Sequence, residues 1–273
     1  MIINTVSDIR QEFAELLHSQ TFTTVNREAS MSTLVGSTTI EITGASFIVD
    51  ESAIFGTVNY AWVKREEDWY NSQSLNVYDI PDGPPPVWKA VADKDGFINS
   101  NYGWTIYSHL NVHHKYELPM GRLPQLDNGD IANQYNFTKA ELIKNPESRR
   151  AVMVYTRPSM WLDYNKNGRS DFMCTNTVQY LIRDGALNAI VQMRSNDAIF
   201  GFKNDNAWQQ HVLEKLANDL NVPVGFITWQ VGSLHVYARH YFLVDYFVRT
   251  GSIDITKAEY AHLFPDSPYN EIK

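Results

Sequence analysis

Between Cys174 and Ser195 the chain reads CTNTVQYLIRDGALNAIVQMRS, two β-branched runs joined by Asp-Gly-Ala. An Asp-Gly pair between alternating apolar residues is a strong hairpin signal, so this stretch commits the chain to a sheet. SRRAVMVYTR just before it, STTIEITGASFIVD near the N-terminus and the long GFITWQVGSLHVYARH read as further strands. Amphipathic helices are expected over VSDIRQEFAELLHSQ, TVNYAWVKREEDWYNS, NAWQQHVLEKLANDL and YFLVDYFVRT, the last stopped by Gly251. The prolines of DIPDGPPPVW read as a rigid surface loop, and the stretch from about Asn111 to Tyr135, without a clear period, as an inserted loop. There is no internal repeat. The expected fold class is α+β: a mixed sheet backed by helices, with residues 1–273 forming a single domain.

Of the 273 residues 44% are hydrophobic, enough for one sizeable core or for two small domains. A single cysteine excludes an intrachain disulfide and fits a reducing cytoplasm. MIINTVSDIRQEF has neither a basic n-region nor an apolar h-region, and no apolar run has the length of a membrane span. A formal charge of -8 and a pI near 5.5 argue against a broad nucleic-acid-binding face. Small phosphorylated ligands remain compatible, because a few clustered arginines suffice for them.

DYNKNGRSDFMC contains two competing readings. Asp163, Asn165, Asn167, Gly168 and Asp171 fall at positions one, three, five, six and nine of a calcium-loop pattern, but the twelfth is Cys174 where a bidentate glutamate belongs. A thiol cannot supply two hard oxygens, and the flanks read as strands, so the segment reads as a polar turn leading to a cysteine. Cys174 begins a strand whose hairpin partner ends in MRSND, so Arg194 is expected near the thiol, where a guanidinium favours thiolate. Arg149 and Arg150 stand adjacent and read equally as ion-pair partners or as a phosphate site. His235 and Tyr237 share one face of a strand, as a core pair or as hydroxyl-binding groups. His113 and His114 make no convincing metal site, and no metal is expected. Asn136 opens a glycosylation sequon in a chain without signs of secretion.

The ordered motifs SRRAVMVYTR, DFMCTNTVQY, MRSNDAIFGFKNDNAW and GSLHVYARH resemble the thymidylate synthase family. Within it they most resemble the phage deoxycytidylate 5-hydroxymethyltransferases. ASFIVDESAIFG, SNYGW and YTRPSM extend the resemblance toward the N-terminus.

The resemblance implies a mechanism in which Cys174 adds as thiolate to C6 of a pyrimidine nucleotide, so that C5 attacks 5,10-methylenetetrahydrofolate, the cosubstrate. It matches Glu66 to the family's proton-relay glutamate near the folate, with Glu67 and Asp68 pointing elsewhere on the same helix. It matches Tyr102 to the tyrosine that organises removal of the C5 proton. Arg194 and Ser195 match the phosphate-binding pair, and Arg149 and Arg150 the arginines that reach a partner's phosphate across a homodimer joined through the sheet. His235 and Tyr237 match ribose contacts, Trp88 and Asp197 folate-site positions.

Asp205 stands where thymidylate synthases carry asparagine. An amide donates to O4 of uracil and accepts from N3–H, whereas a carboxylate only accepts and suits the donors of cytosine, so Asp205 argues for dCMP over dUMP. The competing reading makes Asp205 the N-cap of the following helix. The sequence departs from the synthase pattern at Met173 and Thr175, which replace Pro and His around the nucleophile. It departs again at Leu34, where a phosphate-loop arginine is expected; Arg27 is the nearest basic residue.

The implied activity is hydroxymethylation of dCMP, in the cytoplasm of a phage-infected bacterium, in the service of nucleotide biosynthesis and DNA modification. A C5-methyltransferase and a non-catalytic nucleotide- or calcium-binding protein are the alternatives.

Overall fold

The structure, a computed structural model of the chain, describes residues 4–20, 22–23, 38–108, 126 and 129–272. Arg27, Leu34, His113 and His114 lie outside them, as does most of the expected 111–135 loop. Helix α1 (Val6–Leu16) precedes strands β1 (Phe22–Thr23) and β2 (Thr38–Ile48). Helices α2 (Tyr60–Ser72), α3 (Pro86–Val91), α4 (Tyr102–Tyr107) and α5 (Gln134–Lys144) follow. Next come β3 (Val152–Val154), α6 (Met160–Asp163), β4 (Thr175–Arg183), β5 (Ala186–Asp197), α7 (Gly201–Leu220) and β6 (Val224–Tyr237). Helices α8 (Tyr241–Thr250) and α9 (Lys257–Leu263) close the chain. Among the described residues the strands form one six-stranded sheet in the order β1-β2-β6-β5-β4-β3.

The hairpin of β4 and β5 forms where the sequence puts it. Asp184 and Gly185 both take positive φ, 52° and 78°, as a two-residue turn matched to strand twist requires. β2 pairs antiparallel with β6, and β3 with β4. β5 and β6 run parallel: Gln192 bonds Gln230 side chain to side chain at 3.1 Å, and an added Cβ on Gly232 would meet the Arg194 carbonyl at 2.9 Å. Helix α7 is the crossover between them, so the sheet is mixed and the α+β expectation holds.

The chain's contacts gather into two compact units. The first takes residues 1–63, 192–210 and 226–273. Here α1 starts at a capping box of Thr5 and Asp8 and buries Val6, Ile9 and Phe13. Arg10, also buried, holds the following turns by bonding both oxygens of Glu51 and the carbonyls of Ala53 and Ile54. Phe47, Phe202 and Trp229 pack together on β2, α7 and β6. The second unit takes residues 64–191 and 211–225, and its core is aromatic, with Trp69, Tyr155 and Tyr180 fully buried.

Several local expectations are corrected. Pro86 opens α3 rather than lying in a loop, because proline's missing N–H costs nothing at a first helical position. Gln134 and Tyr135, given to the inserted loop, begin α5, whose N-cap Asn133 accepts from the Asn136 amide at 2.8 Å. Strand β3 spans only three residues, so Arg149 and Arg150 precede it instead of lying on strand faces. The flank before the DYNKNG turn is the short helix α6, not a strand.

Candidate active site

In the second unit, Cys174 sits immediately before β4, half-buried, with its Sγ 3.8 Å from the Phe172 carbonyl. The approach to it is held at two successive residues. The Met173 amide points at the Met160 sulfur at 3.3 Å, and the Phe172 ring packs against Trp161 and Tyr164. Asp171, read as a possible ninth calcium ligand, is buried and accepts from the Asn99 amide and the Ser100 hydroxyl, each at 2.7 Å. Burial pushes its carboxyl up, against the pull of Ser100, Asn99 and Arg169. Asp163 is bonded to Arg157 at 2.7 Å. Both carboxylates thus serve local structure, and Asp171 ties the segment before Cys174 to the loop that delivers Tyr102.

Tyr102 is buried, stacked on Tyr70 with centroids 5.3 Å apart and edge-on to Tyr155 at 5.4 Å. On α2, Glu66 is buried while Glu67 pairs with His211 and Asp68 with Lys64. One of the three acids therefore turns inward, as expected. Its carboxylate accepts from the Trp88 indole N–H at 3.2 Å, so two expected folate-site residues come together. Trp88 itself packs edge-on against Trp69. Arg149 and Arg150 are exposed, and Arg150 bonds Glu141 at 3.0 Å. Hydrogen bonds from Ser148 and Arg150 hold the Glu141 carboxyl below its usual range.

The first unit carries the other expected residues. Arg194 and Ser195 are half-buried near the end of β5. On β6, His235 and Tyr237 meet edge to face at 4.9 Å, and the Arg239 guanidinium lies 4.3 Å over the Tyr237 ring.

Helix α7 begins at Gly201, so Asp205 lies inside it and is not its N-cap. The turn before α7 is held by Asp197, whose carboxylate accepts from the amides of Ile199 and Phe200 at 3.0 and 3.4 Å. Asp197 also attracts its cationic neighbours. Burial lowers Lys203, opposed by Asp197 and Asp254. Burial likewise pushes His240 down to about 4, opposed by Asp197 and reinforced by Arg239 and Lys203.

Asp205 Oδ2 accepts from the Asn196 amide at 2.7 Å. Asn196 is the residue that motif reading passed over, lying unassigned between Ser195 and Asp197. Strand alternation was the available signal, since it puts Asn196 on the same side of β5 as Arg194. Among the described residues no cluster of three or more His, Cys, Asp or Glu could hold a metal ion, and no helix is long and apolar enough to cross a membrane.

The thymidylate synthase family model matches residues 28–257. The deoxycytidylate 5-hydroxymethyltransferases of Enterobacteria phages T4 and T6 are each 52% identical over 232 residues, 82% of this chain and 86% of theirs. A thymidylate synthase of Bacillus licheniformis is 26% identical over 194 residues, 70% of this chain and 62% of its own. Among solved structures, thermostable thymidylate synthase A from Bacillus subtilis superposes with a TM-score of 0.65 at 18% identity, over 89% of this chain and 83% of that one. The sheet with its βαβ crossover, the half-buried cysteine before β4 and these matches agree, and the chain belongs to the thymidylate synthase family, on the branch that holds the phage deoxycytidylate 5-hydroxymethyltransferases.

Proposed function

We propose that the chain transfers a one-carbon unit from 5,10-methylenetetrahydrofolate to C5 of dCMP with addition of water, giving 5-hydroxymethyl-dCMP and tetrahydrofolate. Relatives named for that activity at 52% identity support the reaction class. The observation that carries the choice of base is Asp205 within α7: with the helix starting at Gly201, capping no longer accounts for a carboxylate at this position.

In this reading the Cys174 thiolate adds to C6 of cytosine and makes C5 nucleophilic. Asp205 accepts from the N4 amino group and, once the adduct forms, from protonated N3, two charge-assisted bonds that uracil cannot supply. Glu66, oriented by the Trp88 indole, holds and passes protons beside the folate. Tyr102 assists removal of the C5 proton. Arg194 and Ser195 bind the phosphate with Arg149 and Arg150 of the other subunit of a homodimer, while His235 and Tyr237 bind the ribose and Asp197 the folate. The folate supplies the one-carbon unit at C5, and water completes it as the hydroxymethyl group. The reading takes residues 1–273 as one catalytic domain, needs no metal, and sets the enzyme in the cytoplasm of a phage-infected bacterium.

Asp205→Asn tests it. Asparagine can donate to O4 and accept from N3–H, but it cannot accept two donors from a protonated cytosine edge. An unpaired buried polar group costs about 1–3 kcal/mol, so relative kcat/KM should move roughly ten- to a hundredfold from dCMP toward dUMP. Product mass identifies the chemistry: a gain of CH2O is hydroxymethylation and a gain of CH2 is methylation. Unchanged discrimination in a folded variant removes the argument for cytosine.

A further inference from the structure

We propose that Asn196 is a positioning residue for base selection, acting through Asp205; this rests on the reading above, in which Asp205 meets the cytosine edge. Asn196 is the penultimate residue of β5 and is only 3% exposed. Its Nδ2 donates to Asp205 Oδ2 at 2.7 Å, a charge-assisted distance. The bond spans a stiff junction. Asp197 locks the turn after β5 through the Ile199 and Phe200 amides, and α7 then brings Asp205 round to face the strand it left.

Gly201 eases the approach. A Cβ at that position would stand 3.1 Å from Asn196 Nδ2, 3.3 Å from Asp197 Cβ and 3.8 Å from Asp205 Oδ2. The strand end and the first turn of α7 thus meet closely at Gly201, where a side chain would crowd Asn196 and Asp197.

The chemistry follows from which amide end faces the carboxylate. An ionised carboxylate only accepts, so the asparagine must present N–H, and its Oδ1 is left buried without a hydrogen-bond partner among the described residues. That orphaned oxygen is a cost, since a buried unpaired acceptor is unfavourable. The donated bond offsets it by fixing the plane of the Asp205 carboxyl group. A carboxylate accepts at about four lone-pair sites, so the single bond from Asn196 does not by itself exhaust it. Asn196 thereby keeps position 205 an acceptor, the polarity that separates cytosine from uracil. Its effect is on discrimination between bases, not on nucleotide binding at large.

A double-mutant cycle on base discrimination tests this. The ratio of kcat/KM for dCMP to that for dUMP is measured in the wild type, Asn196→Ala, Asp205→Asn and the double variant, with thermal unfolding to establish that each is folded. Asn196→Ala is expected to lower the ratio about tenfold, mostly through kcat for dCMP, and to have little effect on the ratio when Asp205→Asn is already present. Asn196→Asp, nearly isosteric, sets a carboxylate against a carboxylate and should lower the ratio at least as far; it serves also if the alanine variant does not fold. A ratio within twofold of wild type in the folded variant overturns the proposal, and so does an equal loss for both bases, the mark of a merely structural role. If Asp205→Asn itself leaves discrimination unchanged, the failure lies with Asp205 and the proposed substrate. If it changes discrimination while the Asn196 variants do not, the failure is Asn196's alone.

Discussion

A thiol reacts as its thiolate, so Cys174, as the proposed nucleophile, needs exposure to substrate on one side and a fixed backbone on the other. The half-buried position before β4, with Met173 held on Met160 and Phe172 wedged between Trp161 and Tyr164, supplies the second. Cys174→Ser is expected to abolish turnover and tritium release from C5 of dCMP while dCMP still binds by calorimetry, because a hydroxyl near its free pKa is a poor nucleophile. Retained tritium release would end the covalent mechanism. At this scale the sequence spoke through residue types rather than neighbours. The lone cysteine, the inward-turning Glu66 and the paired His235 and Tyr237 were legible because a motif or strand alternation names them. Asp205 was legible as a residue type but not as a position: the sequence left it a possible helix cap, and only the start of α7 at Gly201 separates it from Asp197, which holds the turn. Asn196 was invisible, since its role exists only once β5 and α7 fold onto each other.

Elements long enough to show a period were legible, and those too short were not. α1, α2, the hairpin, most of α7 and α8 each repeat an apolar stripe or an alternation, and each formed. The six residues of α4 span under two turns and cannot show a stripe, although Asn101 caps it by accepting from the Trp104 amide at 2.7 Å. This small helix carries Tyr102, and its seat is set by a glycine. A Cβ on Gly103 would lie 1.8 Å from the Tyr70 carbonyl oxygen and 2.4 Å from its carbon, atoms of the α2 backbone that cannot swing aside. Gly103→Ala should therefore push α4 off α2, costing about 3 kcal/mol as forced overpacking does. Because the same shift breaks the stacking of Tyr102 on Tyr70, proton removal from C5 should slow more than dCMP binding weakens. Urea unfolding and single-turnover tritium release measure the two effects separately. A variant with wild-type stability would show that α4 does not rest on Tyr70 as closely as the structure has it.

At the scale of the whole molecule, the net charge of -8 makes the binding of an anionic nucleotide a local matter of arginines held against an acidic background. Arg149 and Arg150 bear on this most directly. They lie before β3, exposed, with Arg150 borrowing Glu141 as a partner that a phosphate could replace. An exposed ion pair contributes little, so giving it up for a phosphate costs little. If these arginines act on the other subunit's nucleotide in a two-fold dimer, each active site needs an intact Cys174 from one chain and an intact Arg149 from the other. Arg149→Ala and Cys174→Ser homodimers should each be nearly inactive at dCMP well below KM. Mixed in equal amounts and allowed to exchange subunits, half of the dimers become mixed and each regains one site of two, so activity should return to about a quarter of wild type. With subunit exchange followed independently by mass spectrometry, absence of recovery would assign Arg149 to its own chain's site. Recovery near a quarter instead requires a shared site, because a mixed dimer with self-contained sites pairs every intact cysteine with a missing arginine.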